Sequence, residues 1–217
     1  MKKHVLEQVT AAAVSLFIRQ GFRQTKISNI AENAGIATGT VYNYFTSKEA
    51  IWNYLFFVHL KIAEEPTFPI VEMEQSSLHK MIEKTFEEQD TELKKNILRE
   101  ECRFEELIDR LIDRMTEYRA VFLMIEKNKE VDPLLTEIYR KYRYQLFSYV
   151  ELFFDREMKA GRIRQLTHQT YHVELVIESI ARMVIYKKYE AFVEEDYEIS
   201  SIRQVLKDML THAYLLY

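Results

Sequence analysis

TKISNIAENAGIATGTVYNYFTSK, residues 25 to 48, sets two short apolar-patterned segments on either side of a glycine. Thr25 stands where an N-cap belongs, ahead of a helix Lys26–Ala34 on which Ile27, Ile30 and Ala31 share one face. Gly35 supplies the turn, and Ile36 leads into a second helix of about Thr38 to Phe45. Two short helices joined by a tight glycine turn form a helix-turn-helix. Ala31 and Ala34 permit close approach, and Ile36, Val41 and Phe45 anchor the second helix to a core. That leaves Thr38, Gly39, Thr40, Tyr42 and Asn43 pointing outward. A protruding helix that begins with small hydroxyl residues can enter the DNA major groove N-terminus first. Tyr42, Asn43, Tyr44 and Lys48 then fall where the phosphate backbone passes. The competing reading is that Tyr42, Tyr44 and Phe45 are core aromatics and the motif is a packing unit.

Outward from this motif, the pattern stays helical. Val5, Leu6, Val9, Ala12, Ala13, Leu16 and Phe17 form one stripe and predict a helix from about Lys3 to Gln20, stopped by Gly21. Ser47 caps a fourth helix, with Glu49 in its first turn, running through Ile51, Trp52, Leu55 and Phe56 toward Ala63. The stretch EEPTFPI, Glu64 to Ile70, breaks the pattern and reads as a linker. Beyond it, helices are predicted over about 74–101, 103–117, 119–129, 133–159, 168–192 and 198–216, with Pro133 opening and Gly161 closing the longest. Four Gly and three Pro in 217 residues are too few for the frequent turns of a β fold. The expected class is all-α. Residues 1–47 form an N-terminal three-helix helix-turn-helix DNA-binding domain. Residues 48–217 form a C-terminal helical bundle for ligand binding and dimerisation, and helix 48–63 connects the two.

The charge is unevenly divided. Residues 1–63 carry a formal +4 and the remainder −8, against −4 overall, which suits a module that meets a polyanion with one face. The single cysteine, Cys102, allows no internal disulfide and no structural zinc site, and it reads as a small core residue. No run approaches the ~20 apolar residues of a membrane span, and the N-terminus lacks a signal-peptide pattern. The expectation is a cytoplasmic protein with no membrane partner.

The motif residues resemble the TetR family of transcriptional regulators. The shared pattern comprises Gly21-Phe22, the set Thr25, Ile27, Ile30 and Ala31, then Ala34-Gly35-Ile36. It continues through Gly39-Thr40-Val41-Tyr42, Tyr44-Phe45 and Ser47-Lys48-Glu49, within a resemblance that spans about 50 residues of the chain. The resemblance implies base contacts from Thr38, Gly39 and Tyr42, and phosphate contacts from Thr25, Thr40, Asn43, Tyr44 and Lys48. One position departs: the family opens its reading helix with serine, and here it is Ala37. The missing cap costs about 1 kcal/mol of local helix stability. Farther on, Tyr118–Phe122 resembles the start of the family's sixth helix, Phe104–Glu117 its fifth and Pro133–Gly161 its seventh. The arrangement of residues 70–103 stays open.

In the body, Val173, Ile177, Ile180 and Val184 form one apolar stripe, and Ile202, Val205, Leu206, Met209 and Ala213 another. Paired with two-fold mates they would build a four-helix homodimer interface; the alternative is burial within one subunit. Phe104, Phe122, Tyr142, Tyr149, Phe153 and Tyr186 are candidates to line an apolar ligand cavity, with Glu178 and Arg182 as its polar groups or as a solvent-facing pair. Phe57, Tyr139 and Tyr189 add to this aromatic content and could equally fill the core. His168 and His172 stand four apart, but Gln169 replaces the glutamate of the metalloprotease pattern, so no metal site is expected. No catalytic constellation and no cofactor motif are present. The expected function is a DNA-binding regulator, by family default a repressor, that grips a near-palindromic operator as a dimer and is released by a small hydrophobic or amphipathic inducer. The rival is a helical-bundle carrier or enzyme without DNA binding.

Overall fold

The computed structural model describes residues 2–62, 66–187 and 198–216. The ends of two predicted helices, at Ala63 and over 188–192 with Tyr189, lie outside them. The helices are α1 Lys2–Arg19, α2 Ile27–Asn33, α3 Thr38–Tyr42, α4 Lys48–His59, α5 Gln75–Ile97, α6 Phe104–Lys127, α7 Pro133–Lys159, α8 Gln169–Ala181 and α9 Ile199–Tyr214. A π-helical turn, Arg182–Tyr186, continues α8. Among the described residues no strand forms; only two isolated bridges occur, Phe45 with Ile70 and Ile163 with Leu215. None of the described helices is long and apolar enough to cross a membrane.

One expectation for the body needs correction. The helices predicted over 103–117 and 119–129 are one, α6, because Thr116, Glu117 and Tyr118 contain no breaker and the apolar face runs on through Met115, Tyr118 and Phe122. Residues 70–103 add a single helix, α5, preceded by an extended strap from Pro66 to Met73.

The described chain divides into two compact units: residues 1–85 with 120–139, and residues 86–119 with 140–217. The first centres on an aromatic cluster. Phe17, Phe22, Trp52 and Phe56 join α1, the following turn and α4 with ring centroids 5.1–5.7 Å apart. Burying each such ring contributes about 1.5–3 kcal/mol before entropy is counted. Polar groups then hold the turns. Asn128, after α6, accepts from Phe22 N at 2.6 Å and donates to the carbonyls of Phe17 at 3.0 Å and Met124 at 2.8 Å. His79 of α5 and Asp132, buried together, lie 2.6 Å apart, and the other Asp132 oxygen caps α7 at Leu135 N.

The second unit packs Phe104, Phe153, Phe154 and Tyr214 edge-on and stacked at 5.6–6.4 Å. Ion pairs staple its helices: Arg203 and Lys207 of α9 hold Asp109 of α6, and Arg143 of α7 holds Glu178 of α8. Glu157, 1% exposed, is gripped by Arg156 and Arg162 at the end of α7, and their hydrogen bonds draw its pKa below the usual range despite burial. Cys102 is buried, and burial together with Glu106 pushes its thiol up to about 11, so it behaves as a core residue.

Candidate nucleic-acid interface

α2 and α3 meet across Gly35, whose φ of 69° is the left-handed value a glycine adopts without strain. Ile30, Ala31, Val41 and Phe45 are buried against the core. On the opposite side of α3, Thr38, Gly39, Tyr42 and Asn43 are exposed, Tyr42 by 51%, and Thr40 is half-buried. The core-aromatic alternative therefore fails for Tyr42 and holds for Phe45. As its residue type implies, Ala37 gives α3 no side-chain cap. Ser47 caps α4, its Oγ accepting from Ala50 N at 2.9 Å.

Two of the implied contact residues have other work. Thr25 is 1% exposed; its hydroxyl donates to the Gly21 carbonyl at 2.8 Å and accepts from Gln20 Nε2 at 3.1 Å. It does not cap α2, whose first turn is closed instead by Asn29 Oδ1 accepting from Lys26 N at 3.0 Å. The Lys48 ammonium donates to the carbonyls of Phe22 at 2.8 Å and Thr25 at 2.9 Å and lies 4.2 Å from the Phe22 ring centre. An ammonium has three donors, so two of Lys48's close the α1–α2 turn from inside. The Phe22 peptide is thus held on both sides, its N–H by Asn128 and its carbonyl by Lys48.

Tyr44 is half-buried, with its ring edge-on to Phe68 at 5.0 Å. The strap pairs with the chain leaving α3: Ile70 N donates to the Tyr44 carbonyl at 2.7 Å, and Thr46 N to the Ile70 carbonyl at 2.9 Å. Residues 66–70, the described part of the segment read as a linker, are therefore a brace for the reading helix. Between the strap and α4 lies a cavity of about 240 Å³ lined by Tyr54, Phe57, Val58, Ile62 and Met73 among others. Asn128, Phe68 and Ile70 carried no sequence signal for these roles, since a lone Asn after a helix and an apolar residue beside a proline fit any loop.

The remaining nominated residues separate. Val173, Ile177, Ile180, Val184, Ile202 and Leu206 are at most 4% exposed within one subunit, so these six side chains fill its own core. This corrects their assignment to a dimer face, which followed the apolar stripe without revealing whose core it joined. Val205 at 59%, Met209 at 46% and Ala213 stay exposed on α9, as do Tyr171 and Leu175 on α8. Phe122 belongs to the first unit, 5.4 Å from Tyr139, and so is not grouped with the other ligand candidates. In the second unit Phe104 and Phe153 are core and Tyr142 stacks on Phe86 at 4.6 Å, while Tyr149 and Tyr186 are half-buried. Glu178 pairs with Arg143 rather than with Arg182, which is exposed. His168 is exposed and His172 Nδ1 is 3.2 Å from the Tyr214 hydroxyl; no metal-holding cluster occurs among the described residues.

Known proteins match this geometry. Residues 9–55 match the family described as bacterial regulatory proteins, tetR family. The fatty acid metabolism regulator protein of Bacillus subtilis (strain 168) is 45% identical over 49 residues, which is 23% of this chain and 25% of that protein. The match thus spans about a quarter of that relative's length. Across the fold, the ketosteroid transcriptional regulator KstR2 of Mycobacterium tuberculosis superposes with a TM-score of 0.61 at 14% identity, covering 98% of this chain and 95% of that one. Residues 9–55 are thus similar to the tetR family of bacterial regulatory proteins, and the helical fold as a whole is shared with a solved transcriptional regulator.

Proposed function

We propose that this protein is a one-component transcription regulator in which α3 reads operator DNA. Residues 1–47 act as the DNA-binding domain, and residues 48–217 as the regulatory and dimerising part, joined through α4. The observation that carries this reading is the exposed set Thr38, Gly39, Tyr42 and Asn43 on a short helix whose other side is anchored in the core. Thr38, Gly39 and Tyr42 reach base edges; Thr40, Asn43 and Tyr44 reach phosphates. Lys48 and Thr25 act from behind by shaping the turn. A homodimer presents two such helices about 34–36 Å apart, one turn of duplex. Val205, Met209 and Ala213, with Tyr171 and Leu175, are the side chains available to meet the second copy.

The function is repression by operator occupancy in the cytoplasm, relieved when a small apolar or amphipathic molecule binds the second unit. Relief requires that the molecule favour a non-binding state by differential affinity, since equal affinity shifts nothing. A coupling of ~1–3 kcal/mol changes operator affinity ~5–150-fold. The Bacillus subtilis match extends over only 49 residues, about a quarter of each chain, so nothing about a ligand is carried over from it.

The test is selection of bound sites from a random duplex library by full-length protein, followed by gel retention of the selected duplex. A near-palindromic site and an affinity that falls steeply with salt support the reading. Failure to enrich any site, or salt-independent retention, favours a helical carrier instead.

A further inference from the structure

Asp90 of α5, in the second unit, is 3% exposed, and neither of its carboxylate oxygens has a hydrogen-bond partner. Folded proteins pair nearly all buried polar atoms because an unanswered one is costly, and a carboxylate more than most. A cation stands close by. Arg114 of α6 is 7% exposed and its charge favours the ionised form of Asp90. Yet Arg114 makes its hydrogen bonds elsewhere: Nη1 donates to Gln89 Oε1 at 2.7 Å, Nη2 donates to the Gln89 carbonyl, and the guanidinium also hydrogen-bonds the Tyr142 side chain. Its guanidinium lies 5.3 Å from the Tyr118 ring centre and 5.9 Å from that of Tyr142. Phe86 stacks on Tyr142. Tyr149, which also senses the Asp90 charge, has Lys94 Nζ 5.1 Å from its ring centre. Asp90 and Arg114 balance each other's charge beside the rings of Tyr118 and Tyr142, and the open valence of Asp90 is acceptor only.

We infer that Asp90 is the polar anchor of a ligand site in the second unit, and that the ligand is an uncharged, apolar molecule donating a hydrogen bond to it from a hydroxyl group. The electrostatics select this class. A carboxylate ligand would meet Asp90 with like charge, and an ammonium ligand would meet Arg114 with like charge. A plain hydrocarbon would bury the oxygens and leave them unanswered. A neutral hydroxyl satisfies the carboxylate without disturbing the Asp90–Arg114 balance, and the rings of Phe86, Tyr142 and Tyr149 suit an aromatic body. This inference rests on the regulatory reading of the second unit and names the chemistry that unit senses.

The test uses thermal unfolding of full-length protein without DNA, in equal free concentrations of 2-phenylethanol, phenethylamine, phenylacetate or ethylbenzene. The alcohol is expected to raise Tm by about 2–4 °C near saturation, and each of the other three by less than half of that. Asp90→Leu abolishes the alcohol's shift. Asp90→Asn keeps an acceptor but leaves Arg114 uncompensated, so phenylacetate becomes the stronger stabiliser; a purely structural aspartate would not reverse that preference. The inference is overturned if the alcohol gives no shift, if any of the other three matches it on the native protein, if Asp90→Leu folds and keeps the shift, or if Asp90→Asn leaves the order unchanged. Since DNA is absent, a protein that binds the alcohol but retains no operator sinks the regulator reading and leaves the anchor standing.

Discussion

Buried polar groups are treated differently in the two units. In the first, Thr25 closes on the Gly21 carbonyl, Asn53 on Met73 N and Asn128 on three backbone groups, while Asp132 holds both His79 and Leu135. In the second, Glu157 is gripped by two arginines, but Asp90 and Thr116 keep side-chain oxygens without partners. A set of closed side-chain-to-backbone bonds imposes one geometry on the turns that carry α2 and α3. An open acceptor in a dry place lowers stability and leaves a valence for something else. The first unit closes these bonds on itself, whereas the second leaves open the acceptor that the proposed ligand anchor requires.

The contrast is broken most severely at Asn128. Asn128→Leu strands the Phe22 N–H and the carbonyls of Phe17 and Met124, and at about 1–3 kcal/mol for each unanswered buried group the loss should reach about 4 kcal/mol. Tm should fall by about 8–16 °C. A drop of under about 2 °C would mean that water replaces the side chain and that the turn is not closed as described.

Asp90 should behave in the opposite way. Burial raises its pKa to about 6, above its value in an unfolded chain, so the native state holds a proton more tightly. This contribution is fully present below about pH 4 and is lost as pH rises through 6, leaving a penalty of about 3 kcal/mol at neutral pH. Asp90→Asn should therefore raise the urea midpoint at pH 7.5, with a gain of about 1–3 kcal/mol that shrinks toward zero near pH 4. Asp109, Asp132 and Glu157, whose pKa values are lowered, lose their stabilisation as pH falls. They are common to both proteins and cancel in the difference. An equal gain at both pH values would show that Asp90 is not titrating in a buried site.

At Lys48 the effect is smaller and divides two roles. Lys48→Met keeps the stem over Phe22 but strands the carbonyls of Phe22 and Thr25, for about 2 kcal/mol. If Lys48 acts by shaping the turn, operator affinity should recover when the protein is stabilised elsewhere, and the slope of log affinity against log salt should stay unchanged. A slope reduced by about 1 would restore it as a phosphate contact.

The two units were also unequally legible in the sequence. The head could be read because its signals are local. Gly35 marks the turn, Ala31 and Ala34 the close approach, Ser47 a cap, and the alternation of Val41 and Phe45 with Tyr42 and Asn43 separates anchored from exposed. What could not be read there was long-range: Asn128 meets the α1–α2 turn more than 100 residues earlier, and Phe68 and Ile70 brace the chain after α3 from a stretch that looked like a linker. In the body an apolar stripe shows that a face is buried without showing where. Ile202 proved to be core, while Val205 and Met209, on the same predicted stripe, face outward. Asp90 is invisible for a related reason. A single aspartate among the glutamates and lysines of α5 reads as solvated, and its burial follows from packing beside Tyr142 and Arg114, which no local pattern encodes.

The smallest effect on stability falls where the largest effect on function is expected. Tyr42 is half exposed, and neither a hydrogen bond nor a ring contact of its side chain ties it to the rest of the described chain. Removing it beyond Cβ should change unfolding free energy by less than about 0.5 kcal/mol, as for most surface sites. A ring at a groove edge contributes about 1–3 kcal/mol to binding, so Tyr42→Ala should weaken operator retention by roughly 5- to 150-fold with an unchanged melting curve. The paired outcome matters more than either measurement alone. A single exposed ring needs no partner for stability, so a stable variant that loses DNA identifies what the Tyr42 ring meets. Should Tyr42→Ala instead bind the selected duplex as tightly as the native chain, α3 presents its ring to something other than DNA, and the division of labour between a shaped head and an open body loses its first half.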